Sequence, residues 1–220
     1  MAQVISPVLL TGSRVVLRDW TPEDIEAYRR WIVPPAPGTT PSGLHEWQLF
    51  DGPFYSRWTA DGANRWCDGL LRRAHDADWP AVRENLAVVD AASGEFVGQA
   101  SWYWEEKPGE ESADGTALLP WRRLGLVVFD PAHWSGGYGT EALALWTDYL
   151  FAATDSGRLD FATWSGNVGM CRVGQKLGFT EEARFRKARK VRGELYDAVV
   201  YGVLREEWEA HRGARGGPRL

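Results

Sequence analysis

One segment past the middle of the chain constrains the fold more than any other. It reads LVVFDPAHWSGGYGTEAL and spans residues 126–143. An apolar run typical of a buried strand leads into a turn at Pro131, then into three glycines within four positions, and then into a pattern typical of a helix. A strand that passes directly into a helix predicts a chain in which both kinds of element pack together.

The glycines before this helix predict either a cradle for phosphate or a plain turn. The first turn of a helix has unpaired N–H groups and the positive end of the helix dipole, and glycines let an anion approach that backbone. The nucleoside-triphosphate pattern GxxxxGK[ST] is absent from this segment, because no lysine follows Gly139. The dinucleotide pattern G-x-G-x-x-G with an acidic residue about 20 positions later is absent as well. The common nucleotide-binding folds are therefore disfavoured.

The rest of the chain alternates between strand and helix patterns. Thr21 followed by a proline is typical of a helix start, and the prolines at 34–35 require this helix to end near Val33. Gly178 suits the left-handed residue that follows a helix. The patterns predict strands at 9–19, 85–90, 95–104, 122–129, 158–164, 180–191 and 194–204, and helices at 22–33, 66–76, 138–153 and 170–177. Hairpins mixed with strand–helix–strand units indicate a mixed sheet with helices on both faces.

Length and composition limit the class of protein. A chain of 220 residues fits one domain, which we expect at 1–212, followed by a loose tail at 213–220. With 25 Lys and Arg against 30 Asp and Glu, general attraction to nucleic acid is not expected. Cys67 and Cys171 supply neither a disulfide framework nor the ligand spacing of a zinc site, so we expect no metal. No membrane span or signal-peptide order is visible in the sequence, which predicts a cytoplasmic protein.

Three segments, in order along the chain, resemble the GNAT acetyltransferase superfamily. They are WSGGYGTEA at 134–142, NVGMCRVGQKLGF at 167–179 and YDAVVYGVLREEW at 196–208. The superfamily usually has Arg or Gln at the position of Trp134, but the branch that resembles ribosomal-protein-alanine N-acetyltransferases commonly has tryptophan there. Nearer the N-terminus, only LTGSRVVLRDWTPEDIEAY at 10–28 is similar. The resemblance implies the GNAT fold, an α/β fold with a mixed, mostly antiparallel sheet flanked by helices on both faces.

The resemblance also implies a co-substrate, acetyl-CoA, and the residues that hold it. The pyrophosphate would lie on the glycine loop, whose candidate residues are Trp134, Ser135, Gly136, Gly137, Tyr138, Gly139 and Thr140. The pantetheine arm would pair like an extra strand with Val127 and Phe129, and Asn167 would hold the pantetheine or the acetyl end. Asn167 is alternatively a simple turn or cap residue. Lys176 is either a neighbour of acetyl-CoA or a solvated cation.

The implied reaction transfers an acetyl group from acetyl-CoA to a primary amine, by direct attack in a ternary complex. The acceptor is a protein N-terminal α-amine or a small-molecule amine. The alternative is a catalytically weak protein of the same fold that binds or senses acyl-CoA. The partners are then acetyl-CoA and an amine, with no nucleic acid and no membrane, and a homodimer is left open.

The superfamily's usual acid and base cannot be carried over to this sequence. The strand before the loop has Arg122 and Arg123 where many members have a glutamate. Met170 and Gly174 stand where a serine or a tyrosine occurs in other members. Three carboxylates are candidate replacements, each of which is otherwise a solvated surface acid: Glu105, Glu106 and Asp51. Alternatively the acceptor needs little help, because an α-amine, of pKa about 8, loses its proton more easily by roughly 3 kcal/mol than a lysine side chain, of pKa about 10.4.

A long segment from Pro34 to Trp58 is rich in proline, glycine and aromatic residues. Loops this long in compact domains often carry function, so the segment is either part of the acceptor site or a surface excursion held down by its aromatic side chains. Those side chains would wall an apolar pocket, pack in the core or form a subunit interface: Trp47, Phe50, Phe54, Tyr55 and Trp58. The acidic segment at 105–115 is a solvated loop or attracts a cationic substrate. His133 is expected to pack or to face solvent, and Cys171 to pack in the core, rather than to react.

Overall fold

The computed structural model describes residues 8–36, 38–40, 43–54, 57–107, 109, 115, 117 and 119–214. These residues form one eight-stranded sheet and five α-helices. The strands are β1 (Leu9–Thr11), β2 (Val15–Arg18), β3 (Asn85–Asp90), β4 (Phe96–Glu106), β5 (Trp121–Val128), β6 (Arg158–Trp164), β7 (Thr180–Val191) and β8 (Glu194–Leu204). The helices are α1 (Pro22–Ile32), α2 (Ala60–Asp76), α3 (Tyr138–Ala153), α4 (Val168–Lys176) and α5 (Arg205–Ala214). Short 3-10 helices lie at Glu46–Leu49 and Pro131–His133.

Helices cover both faces of the sheet, which confirms the predicted architecture. On one face, α1 and α2 pack over a buried cluster that includes Ile25, Cys67 and Phe129. On the other face, α3 packs over a cluster that includes Leu143 and Trp146, with parts of α4 and α5 beside it. Because each face of the sheet is apolar and each is covered, the burial of both clusters stabilises the same single sheet.

The sheet is split in its middle. Its strand order is β1-β2-β3-β4-β5-β6-β8-β7, and every neighbouring pair is antiparallel except β5 and β6. These two strands pair only where Arg122 meets Leu159 and Arg123 meets Asp160. Beyond Arg123, no strand of the described chain pairs with this edge of β5. The two strands therefore diverge into a wedge-shaped opening, called the split below.

The N-terminal segment differs from its prediction, because residues 9–19 form two short strands rather than one. β1 and β2 are antiparallel and pair from Leu9 opposite Arg18 to Thr11 opposite Val16. The turn between them is held by Glu141 of α3, whose carboxylate accepts hydrogen bonds from the turn's backbone. A partner more than 120 residues away gives no local signal, so the alternating apolar pattern alone predicted one continuous strand.

The remaining predicted elements agree with the structure within two residues at their ends, apart from the start of α2 and the end of the chain. α2 begins at Ala60 rather than Trp66, because the Thr59 side chain accepts a hydrogen bond from Gly62 N and caps the helix there. The last strand ends at Leu204 as predicted, but the helix α5 that follows it was not predicted. α5 includes the first two residues of the expected tail, and residues 215–220 lie outside the described chain.

Candidate active site

The glycine loop joins β5 to α3 and leaves its backbone donors free. Gly137, the residue that caps the helix start, has φ of +91°, and Ser135 has φ of +61°, a conformation that few non-glycine residues adopt. Within the described residues, no acceptor is bound by the N–H groups of 135–140. Free donors at the positive end of α3 make a site suited to an anion.

Side chains around the loop fix its position. The Tyr138 hydroxyl donates to Asp90 at the end of β3, and this hydrogen bond lowers the pKa of Asp90 to about 2. The His133 ring packs edge-on against Tyr138, with ring centroids 5.0 Å apart. The Trp134 indole donates to the Val128 carbonyl oxygen at 2.8 Å. Trp134 thus ties the loop to the last residue of β5 and borders the split.

Arg14 lies at the glycine loop, a position that the sequence did not suggest. A β-carbon built on Gly137 would stand 3.3 Å from Arg14 Nε. Arg14 belongs to the turn between β1 and β2, and Glu141 accepts hydrogen bonds from the backbone of that turn. The exposed guanidinium is thereby held next to the free N–H groups of the loop. Its local sequence, GSRVV, carries no signal for this role.

Backbone alternation along β5 decides which peptide groups face the split. Phe129 N donates to Val97 O of β4 at 3.0 Å, so Phe129 and Val127 direct their peptide groups toward β4. Leu126 and Val128 direct theirs into the split. The residues expected to pair with the pantetheine arm were Val127 and Phe129, each one position along β5 from a residue that faces the split. The Phe129 side chain is also only 2% exposed, because it packs under α1.

Asn167 acts as a helix cap and as an anchor for the long loop. Its Oδ1 accepts from Met170 N at 3.1 Å at the start of α4, and its Nδ2 donates to the Phe50 carbonyl oxygen at 3.3 Å. Trp164 Nε1 donates to the same oxygen at 2.7 Å. The Phe50 ring packs edge-on against Trp134 across the split, at 5.4 Å between centroids. Lys176 lies exposed in the last turn of α4.

A cavity of about 190 Å³ lies where β5 and β6 part. Arg123 contributes from β5, Ala162 to Trp164 from β6, and Phe185 and Arg189 from β7. The long loop closes it with Asp51, Gly52 and Phe54. The cavity therefore brings part of the predicted acceptor loop to the split.

The three candidate carboxylates have different surroundings. Glu105 forms an ion pair with Arg123 Nη1 at 2.8 Å, and Arg123 also binds the buried Asp160 through two hydrogen bonds. Glu106 lies opposite Trp121 at a bulge between β4 and β5 and does not line the cavity. Asp51 lines it. Among these three candidates, Asp51 is the one at the cavity.

The environment of Asp51 changes its proton affinity. Asp51 is exposed at the mouth of the cavity, and the cavity wall removes part of the water around its carboxylate. The resulting loss of solvation raises the pKa of Asp51 to about 6. The carboxylate is therefore mostly ionised at pH 7 but binds a proton more readily than a surface aspartate, a combination suited to a general base.

The aromatic residues of the long loop serve different purposes. Trp47 is buried and packs edge-on against Phe129, at 5.0 Å between centroids. Phe54 lines the cavity, and Trp58 packs against Trp66 at the surface. Tyr55 lies outside the described residues, as does most of the acidic segment 105–115. Two of the three expected uses, core packing and a pocket wall, occur within one loop.

Other reactive groups are sparse in the described part of the chain. Cys67 is buried and Cys171 is half-buried, and burial raises the pKa of both thiols. No group of three or more His, Cys, Asp or Glu side chains in the described ranges is arranged to hold a metal ion. The helices that the structure describes include none with the length and apolar surface needed to cross a bilayer.

Comparison with curated proteins gives short alignments. The SPbeta prophage-derived uncharacterized N-acetyltransferase YokL of Bacillus subtilis (strain 168) is 30% identical over 88 residues, which are 40% of this chain and 49% of that protein. This chain spans less than half the length of the curated relatives it matches.

Solved structures match over nearly the whole chain. An acetyltransferase (GNAT family) from Bacillus anthracis has a TM-score of 0.62 at 18% identity, over 90% of this chain and 99% of that one. RimJ of Mycobacterium smegmatis, in complex with CoA-disulfide, has a TM-score of 0.59 at 23% identity, over 96% and 93% of the two chains. At such low identity these matches show the fold. The family model described as an acetyltransferase (GNAT) domain matches residues 14–180, and this chain therefore belongs to the GNAT acetyltransferase family.

Proposed function

We propose that this protein transfers an acetyl group from acetyl-CoA to a primary amine. The observation that carries the proposal is the split, which has free backbone donors at its open end and the Asp51 cavity near its closed end. Family membership supports acetyl-CoA as the donor, and a neighbour of the same fold has been solved with CoA-disulfide. Two separate openings onto one split also suit a ternary complex, in which both substrates are bound before reaction.

The chain's own residues would bind acetyl-CoA along the split. The free N–H groups of 135–140 and the Arg14 guanidinium would hold the pyrophosphate. The N–H and C=O groups of Leu126 would pair with the pantetheine amides, since they face the opening. Asn167 is the candidate at the acetyl end. Lys176 stands at the other end of α4, roughly 13 Å along the helix, so it suits only a distal contact.

Asp51 would act as the general base. It takes a proton from the ammonium form of the acceptor, and the amine nitrogen then attacks the thioester carbon. The C–N bond forms, the C–S bond breaks, the attacking nitrogen loses its second proton to solvent, and the departing thiolate takes a proton from solvent. Val128 N–H faces the split and would stabilise the negative charge on the carbonyl oxygen. Transfer of the proton to Asp51 is uphill by roughly 3 kcal/mol from an α-amine and by roughly 6 kcal/mol from a lysine, which favours an α-amine or another weakly basic amine.

Calorimetric titration with acetyl-CoA tests the binding half of the proposal. We expect saturable micromolar binding, and we expect Gly137→Val to weaken it by at least about 10-fold, because the new side chain would obstruct backbone approach to the pyrophosphate. Gly193→Val is the matched control, since Gly193 also has a positive φ, of +89°, but lies in the turn between β7 and β8. Equal affinity in folded Gly137→Val and wild-type protein would contradict the phosphate site.

Thiol release from acetyl-CoA with a panel of amines tests the catalytic half. The expected result is turnover that is faster with α-amines than with matched side-chain amines at neutral pH. Faster acetylation of the side-chain amines would contradict the role given to amine basicity. Tight binding of acetyl-CoA without turnover of any amine would instead favour the alternative function, an acyl-CoA-binding or sensing protein, which the loss of the superfamily's usual acid and base motivates.

A further inference from the structure

One arginine of the cavity has donors without a partner. Arg189 lies on β7 and lines the cavity, where its guanidinium carbon stands 4.7 Å from the centre of the Phe54 ring. Its Nη1 donates to the carbonyl oxygen of Ala188 at 3.0 Å. Its Nε is buried and has no hydrogen-bond partner, and among the described residues no carboxylate forms an ion pair with it. A buried charged donor left unpaired is costly, which points to a ligand.

The part of the Arg189 guanidinium that has no partner is the part with which other arginines of this protein bind carboxylates. Four arginines place Nε and Nη2 on the two oxygens of one carboxylate: Arg18 on Asp24, Arg83 on Asp19, Arg123 on Asp160 and Arg184 on Glu181. This side-on fork matches the spacing of carboxylate oxygens. Since Nη1 of Arg189 is occupied by Ala188, the free part of its guanidinium is the same fork.

A bulge in β7 directs Arg189 into the cavity. Phe185 lies opposite Ala198 and Arg189 lies opposite Tyr196, so β7 has two residues more than β8 between these pairs. The bulge is fixed by Asp197, whose carboxylate accepts hydrogen bonds from Lys187 N and from Arg184 Nη1. Phe185 and Arg189 consequently both line the cavity. Bulges of this kind commonly re-aim side chains beside active sites.

The remaining charges of the cavity fit a small ligand with two opposite charges. Arg123 is neutralised by Glu105 and Asp160, so it offers little net positive charge. Asp51 supplies a carboxylate and Arg189 a separate guanidinium, and the rings of Phe54 and Phe185 contribute apolar wall. A cavity of about 190 Å³ admits a small organic group or one side chain.

We propose that Arg189 determines acceptor specificity by binding a carboxylate or similar oxyanion of the acceptor, so that the preferred acceptors are amines that also carry a negative charge. The inference rests on the proposed function, because it assigns the cavity to the acceptor. It names a substrate class, anionic amines, which includes small amino acids and peptides with an acidic residue near the N-terminus.

Matched acceptors test the class directly. 4-(Aminomethyl)benzoate and 4-(aminomethyl)benzamide share the amine and the ring but differ in charge. The amidated dipeptides Ala-Glu and Ala-Gln make the same comparison for a peptide. We expect kcat/KM to be about 10- to 100-fold higher for the anionic member of at least one pair, the range for hydrogen bonds to a charged group. The pair that shows the preference distinguishes a small molecule from a peptide as its source.

Variants on β7 assign the preference to one side chain. Arg189→Gln should abolish it, and Arg189→Lys should retain part of it, since the charge remains but the fork is lost. Arg186→Gln is the matched control: it removes the same charge from an exposed position of the same strand outside the cavity, and it should keep the wild-type preference. Equal kcat/KM for both members of both pairs in wild-type protein, or a preference that survives in folded Arg189→Gln, would overturn the inference.

A binding measurement separates this inference from the proposed function. The four probes are titrated into wild-type and Arg189→Gln protein saturated with CoA, with tryptophan fluorescence as the readout. If no amine is acetylated, the proposed function fails, yet tighter binding of the anionic probes that depends on Arg189 would still support the inference. If amines are acetylated but the charged and uncharged probes bind equally, the proposed function stands and the inference fails.

Discussion

Glu141 connects the stability of the fold to the proposed phosphate site. Its two carboxylate oxygens accept four hydrogen bonds from the turn between β1 and β2: from Ser13 N at 2.9 Å, Ser13 Oγ at 2.6 Å, Arg14 N at 2.6 Å and Val15 N at 2.9 Å. This turn carries the guanidinium that lies against Gly137. Replacement of Glu141 should therefore weaken both the fold and the binding of acetyl-CoA.

The expected cost of Glu141→Gln follows from the number of acceptors. Glutamine keeps one acceptor oxygen and presents an NH₂ group to the donors that bound the other, so two of the four hydrogen bonds are lost. A hydrogen bond to a charged group contributes about 1.5–3 kcal/mol, and partial exposure of this turn places the loss in the lower part of that range. We expect urea titration at pH 7 to give a free energy of unfolding lower by about 3–4 kcal/mol.

The pH dependence provides an independent check. Burial opposes ionisation of Glu141, but the hydrogen bonds from Ser13, Arg14 and Val15 outweigh it and lower its pKa from the usual 4.5. The native state therefore holds this proton less tightly than the unfolded state does. The contribution to stability is present above pH 4.5 and is lost as the pH falls through the lowered native pKa. Glu141→Gln should remove that part of the acid destabilisation.

A matched substitution distinguishes the loss of the Glu141 hydrogen bonds from a general effect of removing a charge. Glu209→Gln removes the same charge from an exposed position on α5 and should change stability by less than about 0.5 kcal/mol. An effect of Glu141→Gln as small as that of the control would refute the reasoning. So would a large loss of stability at pH 7 that stays the same as the pH falls well below 4.5.

Two further predictions concern the site and the same turn. Asp51→Asn should lower kcat/KM by about 10²- to 10⁴-fold and abolish the rise in rate as the pH passes about 6. Glu106→Gln should do neither, and a larger loss of kcat/KM in the Glu106 variant would contradict the assignment of the base. Gly12→Ala should lower the free energy of unfolding by about 1–3 kcal/mol, because the new β-carbon would stand only 2.6 Å from the carboxyl carbon of Glu141, which its hydrogen bonds hold in place. Gly157→Ala meets no atom within 4 Å, so chemical denaturation should find it neutral or slightly stabilising, and equal effects of the two glycine variants would contradict the crowding argument.

Local signals predicted most of the fold. The capped start of α1, with Thr21 accepting from Asp24 N, and the tight turn at Arg192 and Gly193, both at positive φ, depend on residues next to one another in sequence. Their stereochemistry is therefore readable from the sequence. The early start of α2 was missed although Thr59 caps it, because the polar residues that follow hide the apolar face of its first turns.

Contacts between distant segments could not be predicted in this way. The pairing of β1 with β2 depends on Glu141 of α3. The helix α5 is anchored by Arg205, which donates to the carbonyl oxygens of Phe151 in the last turn of α3 and of Thr154 and Ser156 just beyond it. Unpaired carbonyl groups at a helix end attract a cation from anywhere in the chain. The residue that supplies it is fixed by topology, which a single sequence does not reveal.

The same contrast between local signals and distant contacts applies to the candidate site. The glycine loop could be located from sequence because the phosphate binding proposed for it depends on backbone geometry, which consecutive glycines and a helix start specify together. The candidate base could not be chosen from sequence, because the sequence alone does not distinguish Glu105, Glu106 and Asp51 from one another. Their difference arises from neighbours on other strands: Arg123 neutralises Glu105, while the walls of the cavity desolvate Asp51. Proton affinity is a property of the surroundings, so the assignment of catalytic carboxylates in this family member requires the folded chain.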